Sequence, residues 1–283
     1  MSTKTRSHHR MSKGWLDILE ALYADSWNPQ LGRFRSRFAY RGVSVQTGEL
    51  ETTLARLAGH HGDVVRIELG LLRSFRKYAL SEAHCTDTIW HWLALAQHAG
   101  LPTRLLDWTY SPLVALHFAT ARLDRFDQDG EVWCVDFPRV NKLLPRRLRQ
   151  LLDAEQSEAL TVDMLQGFDT LNAFDRVGRS PFVVFVEPPT VHPRLAAQHA
   201  LFSLMPNPTA RLDRWLMRHS DVYRRVVIPA ALKWEIRDKL DQANIHERVL
   251  HGGLDGLSRW LARYYRPERG RVPNLIATPR IAK

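Results

Sequence analysis

Gln97-His-Ala-Gly-Leu-Pro-Thr-Arg-Leu-Leu-Asp-Trp-Thr-Tyr-Ser-Pro-Leu-Val-Ala-Leu-His-Phe-Ala119 compresses a helix stop, a short strand, a turn and a helix start into one segment. Gly100 suits the left-handed position just past a helix and Pro102 blocks continuation, so the apolar-periodic run through Trp92, Leu93 and Ala96 ends there. Leu105, Leu106 and Trp108 form an apolar run too short for a helix and read as a strand. Ser111 then caps a new helix whose first position is Pro112, where the missing N–H costs nothing. Leu113, Leu116 and Leu123, with Ala119 and Thr120 beside them, follow helical spacing, so this helix buries one face. Its N-terminus points back at the turn, where free N–H groups and the helix dipole favour an anion. The same residues allow a plainer arrangement, in which Thr109 and Ser111 only cap the helix and Asp107 pairs with Arg104.

Upstream of this segment, Trp15, Ile18, Leu19 and Leu22 predict a helix over 14–24. Phe38, Tyr40 and Val43 predict a strand that delivers Arg41 beside Gly42, a residue that permits close backbone approach. An arginine there is either one of many at the surface or a planar fork for an incoming phosphate or carboxylate. Residues 49–79 read as two helices broken at His60-His61-Gly62, followed by a helix capped by Thr86 or Asp87. Downstream, Gly130–Phe137 reads as a strand ended by Pro138, residues 141–178 as a mostly helical insertion or lid, and Pro181–Val186 as a strand. The stretch 194–204 ends strand-like, 223–229 is a further strand, and 230–242 and 254–264 are closing helices across a Gly252-Gly253 turn. Strands scattered between helices without a regular βαβ alternation indicate an α+β fold.

The chain has 283 residues and 45% hydrophobic composition, which supports a real core. No apolar run approaches the roughly 18 to 20 residues that span a bilayer, and the polar, basic start lacks a signal core, so a soluble cytoplasmic protein with a disordered first dozen residues is expected. Cys85 and Cys134 are isolated, which fits a reducing compartment. None of the 13 histidines stands in an HExxH or His-with-Cys arrangement, and His84 precedes the helix carrying His91 and His98, so no metal is expected. A net charge of +10 makes a polyanion such as RNA or DNA a reasonable partner, although a diffuse excess also serves solubility. The densest basic run, Arg139, Lys142, Arg146, Arg147 and Arg149, alternates with leucines and reads first as the solvated face of an amphipathic helix.

Tyr40-Arg41-Gly42 and the stretch from Gln97-His98 through Thr109, continued by 115–119, closely resemble the diagnostic motifs of the FRG-domain family, a bacterial and phage-associated group. Weaker similarities continue through Thr52-Thr53-Leu54, Arg56, Phe75, Gly130–Trp133, Arg194 with Gln198 and Phe202, Ile228-Pro229 and Gly253–Leu257. The resemblance covers about 35–260 and implies one domain over 13–265 between tails at 1–12 and 266–283. Tyrosine stands where the family has phenylalanine, and Gln198-His-Ala lacks a frequent glycine.

A looser resemblance ties the order of Arg41, then Trp108–Ser111 with Ala115 and Phe118-Ala119, then Gln198, to mono-ADP-ribosyltransferases. It implies an ADP-ribosyltransferase-like mixed, split sheet surrounded by helices. It also implies NAD as the cofactor, held by Arg41, Gly42, His98, Arg104, Thr109 and Ser111, with Arg41, Asp107 and Gln198 as the catalytic set. Cleaving the nicotinamide–ribose bond develops positive charge that a carboxylate stabilises, and Gln198 supplies only a hydrogen bond, which weakens the transferase reading unless Asp107 or Glu187 supplies the charge or Gln198 only orients the ribose hydroxyls. The function implied is ADP-ribose transfer to an acceptor, nucleic acid among the candidates, in a toxin or anti-phage context. The alternative is a non-catalytic module that binds a nucleotide or nucleic acid as sensor or interaction surface.

Overall fold

The computed structural model describes residues 14–59, 62–81, 86–189 and 193–267. The expectations for the N-terminal tail, for His60-His61, for His84 and Cys85, and for nearly all of the C-terminal tail lie outside these residues.

The fold is α+β. Two short strands, β1 (Trp27–Asn28) and β2 (Arg33–Phe34), make a small antiparallel ribbon. The remaining strands are β3 (Phe38–Val43), β4 (Leu106–Thr109), β5 (Gly130–Asp136), β6 (Leu160–Thr161), β7 (Val184–Glu187), β8 (Ala200–Leu204) and β9 (Tyr223–Ile228). They form one mixed sheet in the order β6-β7-β8-β4-β3-β5-β9, antiparallel throughout except for the β6–β7 pair.

Alternation along the strands sorts the core. On one face, Ala39, Leu106, Trp108, Trp133, Val135, Phe185 and Leu201 form a continuous cluster with Trp215 and Leu216. On the other, Phe38, Tyr40, Val132 and Ile228 pack with Ile18, Leu22, Ala115 and Leu116. A second cluster on that side joins Phe202, Leu204 and Val184 to Trp90, Leu93 and Phe174. The sheet therefore has one shared core and, opposite it, two that are separate.

The joints between elements follow local chemistry. Gly100 takes φ +86 after the helix Ile89–His98, and Ser111 Oγ accepts from Val114 N at the start of the helix Pro112–Ala119. Thr88, rather than Thr86 or Asp87, caps Ile89–His98, because Asp87 is engaged by Trp92 Nε1 and by Arg76. β5 stops at Asp136, whose carboxylate caps a short helix that begins with Phe137-Pro138. The strand expected at Pro181–Val186 runs instead from Val184 to Glu187, paired on both sides.

Segment 141–178 packs into the fold as a wall. It contributes β6 and buries Leu148, Leu152, Leu165, Phe168 and Phe174 against Trp90 and Phe202. Its helix Arg146–Glu155 turns Leu148 and Leu152 inward and leaves the arginines solvated, the amphipathic arrangement expected of this basic run.

Candidate functional site

β3 pairs with β5 over six positions and β4 with β8 over four, yet β3 and β4 meet only at Tyr40↔Thr109. The antiparallel register would next oppose Arg41 to Trp108 and Gly42 to Asp107, and neither pair forms. The strands part at this point. A cleft of about 920 Å³ opens over the parting and is lined by residues of β3, β4 and the segments beside them.

Arg41 sits at the parting and donates through Nη1 to the main-chain carbonyl of Asp107, so a side chain bridges where the ladder does not. Its side chain is 23% exposed, Nη1 lies 4.0 Å from Asp107 Oδ2, and its buried Nε makes no hydrogen bond. Burial lowers the guanidinium pKa from its ordinary value, Asp107 opposes that shift, and Arg56 adds to it. An arginine keeps its proton under such pressure, so the cleft floor carries a cation that gains from an anion.

Gly42 has a different task from contacting a ligand. A Cβ there would lie 1.8 Å from Ala115 O and 2.5 Å from Ala119 N, so its bare face receives the helix Pro112–Ala119. Close backbone approach is indeed what Gly42 permits, but the approaching chain is the protein's own.

Asp107 is 63% exposed at the cleft, and its Oδ1 accepts from Gln97 Nε2 at 2.9 Å. Gln97 Oε1 in turn accepts from Thr103 Oγ1, which fixes the amide's orientation. His98 lines the cleft beside it. Thr109 Oγ1 donates to the main-chain carbonyl of Gln198 at 2.6 Å and ties that segment to β4. Gln198 Nε2 donates to Leu250 O at 2.9 Å, which spends the amide's donor end on the helix Glu247–His251.

The structure thus brings Arg41, Gly42, His98, Asp107, Thr109 and Gln198 to one cleft and leaves Arg104, Ser111 and Glu187 outside it. Arg104 is buried, with Nε and Nη2 on the two Glu68 oxygens at 2.7 and 2.5 Å and Nη1 on Asp175 at 2.5 Å. It does not pair with Asp107. Ser111 only caps its helix, because Oγ is engaged by Val114 N and its own N–H by Thr109 Oγ1. That helix presents the opposite end to the cleft, through Phe118 and the following Ala121, Arg122 and Arg125, which corrects the expectation of an anion at its N-terminus. Glu187 accepts from the Tyr110 hydroxyl at 2.7 Å, so Asp107 is the expected carboxylate that reaches the cleft.

Residues whose part the sequence did not disclose complete the lining. Arg56, Arg122, Arg125 and Arg194 join Arg41, against Glu49, Glu51 and Asp107, and Leu101, Phe118, Leu195 and Phe202 provide apolar wall. Glu49 lies 3.3 Å from Arg211, which offsets its charge. Lys233 is fully buried behind the rim and donates from Nζ to Ser44 O and Arg125 O, each at 2.8 Å, drawing together two lining segments. Burial pushes its pKa down to about 8. Among the described residues no three His, Cys, Asp or Glu side chains converge as metal ligands, and no helix is long and apolar enough to cross a membrane.

No curated protein and no solved structure matches the chain. Residues 36–128 do match the family model of the FRG domain, and this matched segment holds β3, β4, the helix Pro112–Ala119 and the whole Arg41–Asp107 junction.

Proposed function

We propose that the cleft binds NAD or a closely related nucleotide and that the protein transfers ADP-ribose from it to an acceptor. The observation that carries this reading is Arg41, a partly buried cation with an unbonded Nε at the point where β3 and β4 separate. Its remaining N–H groups suit phosphate oxygens in a bidentate manner. The cleft has the size of sites that take ligands of this kind.

Bound NAD supplies a glycosidic bond whose cleavage passes through an oxocarbenium-like state. The chain's own residues divide the remaining work. Gln198, its donor end held by Leu250 O, keeps Oε1 for a ribose hydroxyl. Asp107, oriented by Gln97, places a carboxylate where positive charge is stabilised and where an acceptor's proton is received. His98 and the Thr109-anchored turn border the same space. A toxin or anti-phage setting, with RNA or DNA as acceptor, is the context we propose on the family resemblance and the +10 charge.

One observation favours a second reading. Neutral Gln198 stands where a transferase glutamate is expected and is hydrogen-bonded to the C-terminal part of the domain, which suits a cleft that senses a nucleotide without cleaving it. Incubation with labelled NAD and a panel of RNA, DNA and protein acceptors separates the two. Label transfer that disappears in Arg41→Ala supports the enzyme; an NAD-induced thermal shift without turnover supports the sensor. Neither transfer nor shift sinks both.

A further inference from the structure

The ribbon β1–β2 is built to hold its side chains outward. Arg35 N donates to Ser26 O at 2.6 Å, and Asn28 Oδ1 accepts from Gln30 N and Leu31 N at 3.0 and 3.1 Å. At its base Arg224 stacks over Phe38 at 4.1 Å and donates to Ala24 O at 2.8 Å. On this anchored frame Trp27 is 52% exposed and Phe34 is 68% exposed, their rings edge to face with centroids 5.2 Å apart. Large aromatic side chains in such exposed positions stabilise no core.

The charge carried by the ribbon segment itself is positive, with Asp25 just before it held 3.4 Å from Arg224. Residues 26–48 contain Arg33, Arg35, Arg37 and Arg41 and no Asp or Glu. Arg33 and Arg35 are exposed and flank Phe34, while Arg37 lies 3.0 Å from Asp136. Arg33 and Arg35 alternate with Phe34 along the extended chain, so the ribbon offers exposed rings on one face and guanidinium groups on the other, the two elements that hold an unpaired nucleic-acid strand wrapped over it: stacking for bases and cations for phosphates. The same chain continues into β3, and Arg41 follows Arg37 by four residues, about 13 Å along a strand.

We infer that the β1–β2 ribbon is a docking site for single-stranded nucleic acid, with Trp27 and Phe34 stacking on bases and Arg33 and Arg35 contacting phosphates. The binding stands independently of the cleft; only the role of the bound strand as acceptor rests on the transferase reading.

The test is fluorescence anisotropy of the full chain with labelled single-stranded RNA and DNA of about a dozen nucleotides, and with the matching duplexes. Single strands bind more tightly than duplexes, and Trp27→Ala with Phe34→Ala weakens them about tenfold or more. Arg33→Glu with Arg35→Glu weakens binding and flattens its dependence on salt. Trp27→Leu with Phe34→Leu keeps apolar bulk, removes stacking, and is as weak as the alanine pair. The alanine pair leaves the melting temperature and any NAD-induced thermal shift unchanged, so failure of the ribbon and failure of the cleft reading are told apart. Equal binding of duplex and single strand with no effect of the ring variants overturns the proposal, as does recovery in the leucine pair. Capture by phosphatidylserine-containing vesicles without single-strand binding also overturns it.

Discussion

Arg41 donates through Nη1 to the main-chain carbonyl of Asp107 across the point where β3 and β4 part after their single pair, Tyr40↔Thr109. A ladder continued past Tyr40 would close the gap and bury the arginine. The parting instead keeps a cation at the floor of a cleft.

Replacing Arg41 tests this arrangement first. On the proposed reading of the cleft as an NAD site, Arg41→Ala removes the thermal shift that NAD is expected to induce. Arg41→Lys keeps the charge but lacks the fork that reaches the Asp107 carbonyl and an anion together. Its affinity for NAD falls by about 2 kcal/mol, roughly thirtyfold, measured by calorimetric titration. Wild-type affinity in the lysine variant contradicts a forked contact.

Gly42→Ala tests the wall behind the arginine. The atoms that a Cβ would meet, Ala115 O and Ala119 N, belong to helix backbone and cannot turn aside as a side chain does. The helix Pro112–Ala119 must lift from β3, at a cost of about 3 kcal/mol, read as a lowered urea midpoint with an unchanged slope. A midpoint equal to wild type would show that the helix is not seated on β3 as described.

The elements around this junction were legible because their signals are local. Gly100, Pro102, Ser111 and Pro112 set their boundaries within a residue or two of the chain positions that encode them, and the strand formers Phe38, Tyr40 and Val43 and the short apolar run Leu105, Leu106 and Trp108 marked β3 and β4. What escaped depends on partners distant in sequence. Arg104 is matched by Glu68 and Asp175, which lie 36 and 71 residues away, so nothing beside it disclosed that its charge was already compensated. Periodicity identified the helix Pro112–Ala119 but not its direction across the sheet, which decided that its C-terminal end faces the cleft. The leucines of 141–178 gave no sign of where they pack, because their partners Trp90 and Phe202 lie far away in the chain.

The Glu68–Arg104–Asp175 cluster makes a stability prediction. Arg104 joins the helix Val64–Ala79 to the helix Leu171–Asp175 in a site where burial raises both carboxyls from their ordinary values and the arginine opposes it. Arg104→Met leaves Glu68 buried without its partner, at a cost of about 3–5 kcal/mol. Adding Glu68→Leu removes the orphaned charge and recovers most of that loss. Chemical denaturation of the single and double variants measures the difference, and equal stability of the two would contradict the pairing.

Acid stability tests how the C-terminal helices support Gln198. Glu247 Oε1 accepts from Arg237 Nη2 at 2.5 Å and Arg263 Nε at 2.9 Å, and Oε2 accepts from Arg263 Nη2 at 2.9 Å. Burial alone would raise this carboxyl above its ordinary 4.5, but the hydrogen bonds from Arg263 and the charge of Arg237 outweigh it and hold it at about 2. The unfolded chain therefore binds the proton first as pH falls, and the stabilisation, complete above pH 4.5, is lost progressively toward pH 2. A separate limb begins higher. Burial, reinforced by Arg237, holds His117 well below its ordinary 6.5, so the folded state stays neutral there while the unfolded state takes up a proton and stability declines as pH drops below 6.5. Glu247→Gln should lower stability by about 3 kcal/mol at neutral pH and abolish the limb between pH 4.5 and 2 while leaving the higher one in place. Urea midpoints across pH measure both limbs. Because Leu250 O, which holds Gln198 Nε2, lies on the same helix as Glu247, the variant also weakens the NAD-induced thermal shift at neutral pH; an undiminished shift would detach Gln198 from this support.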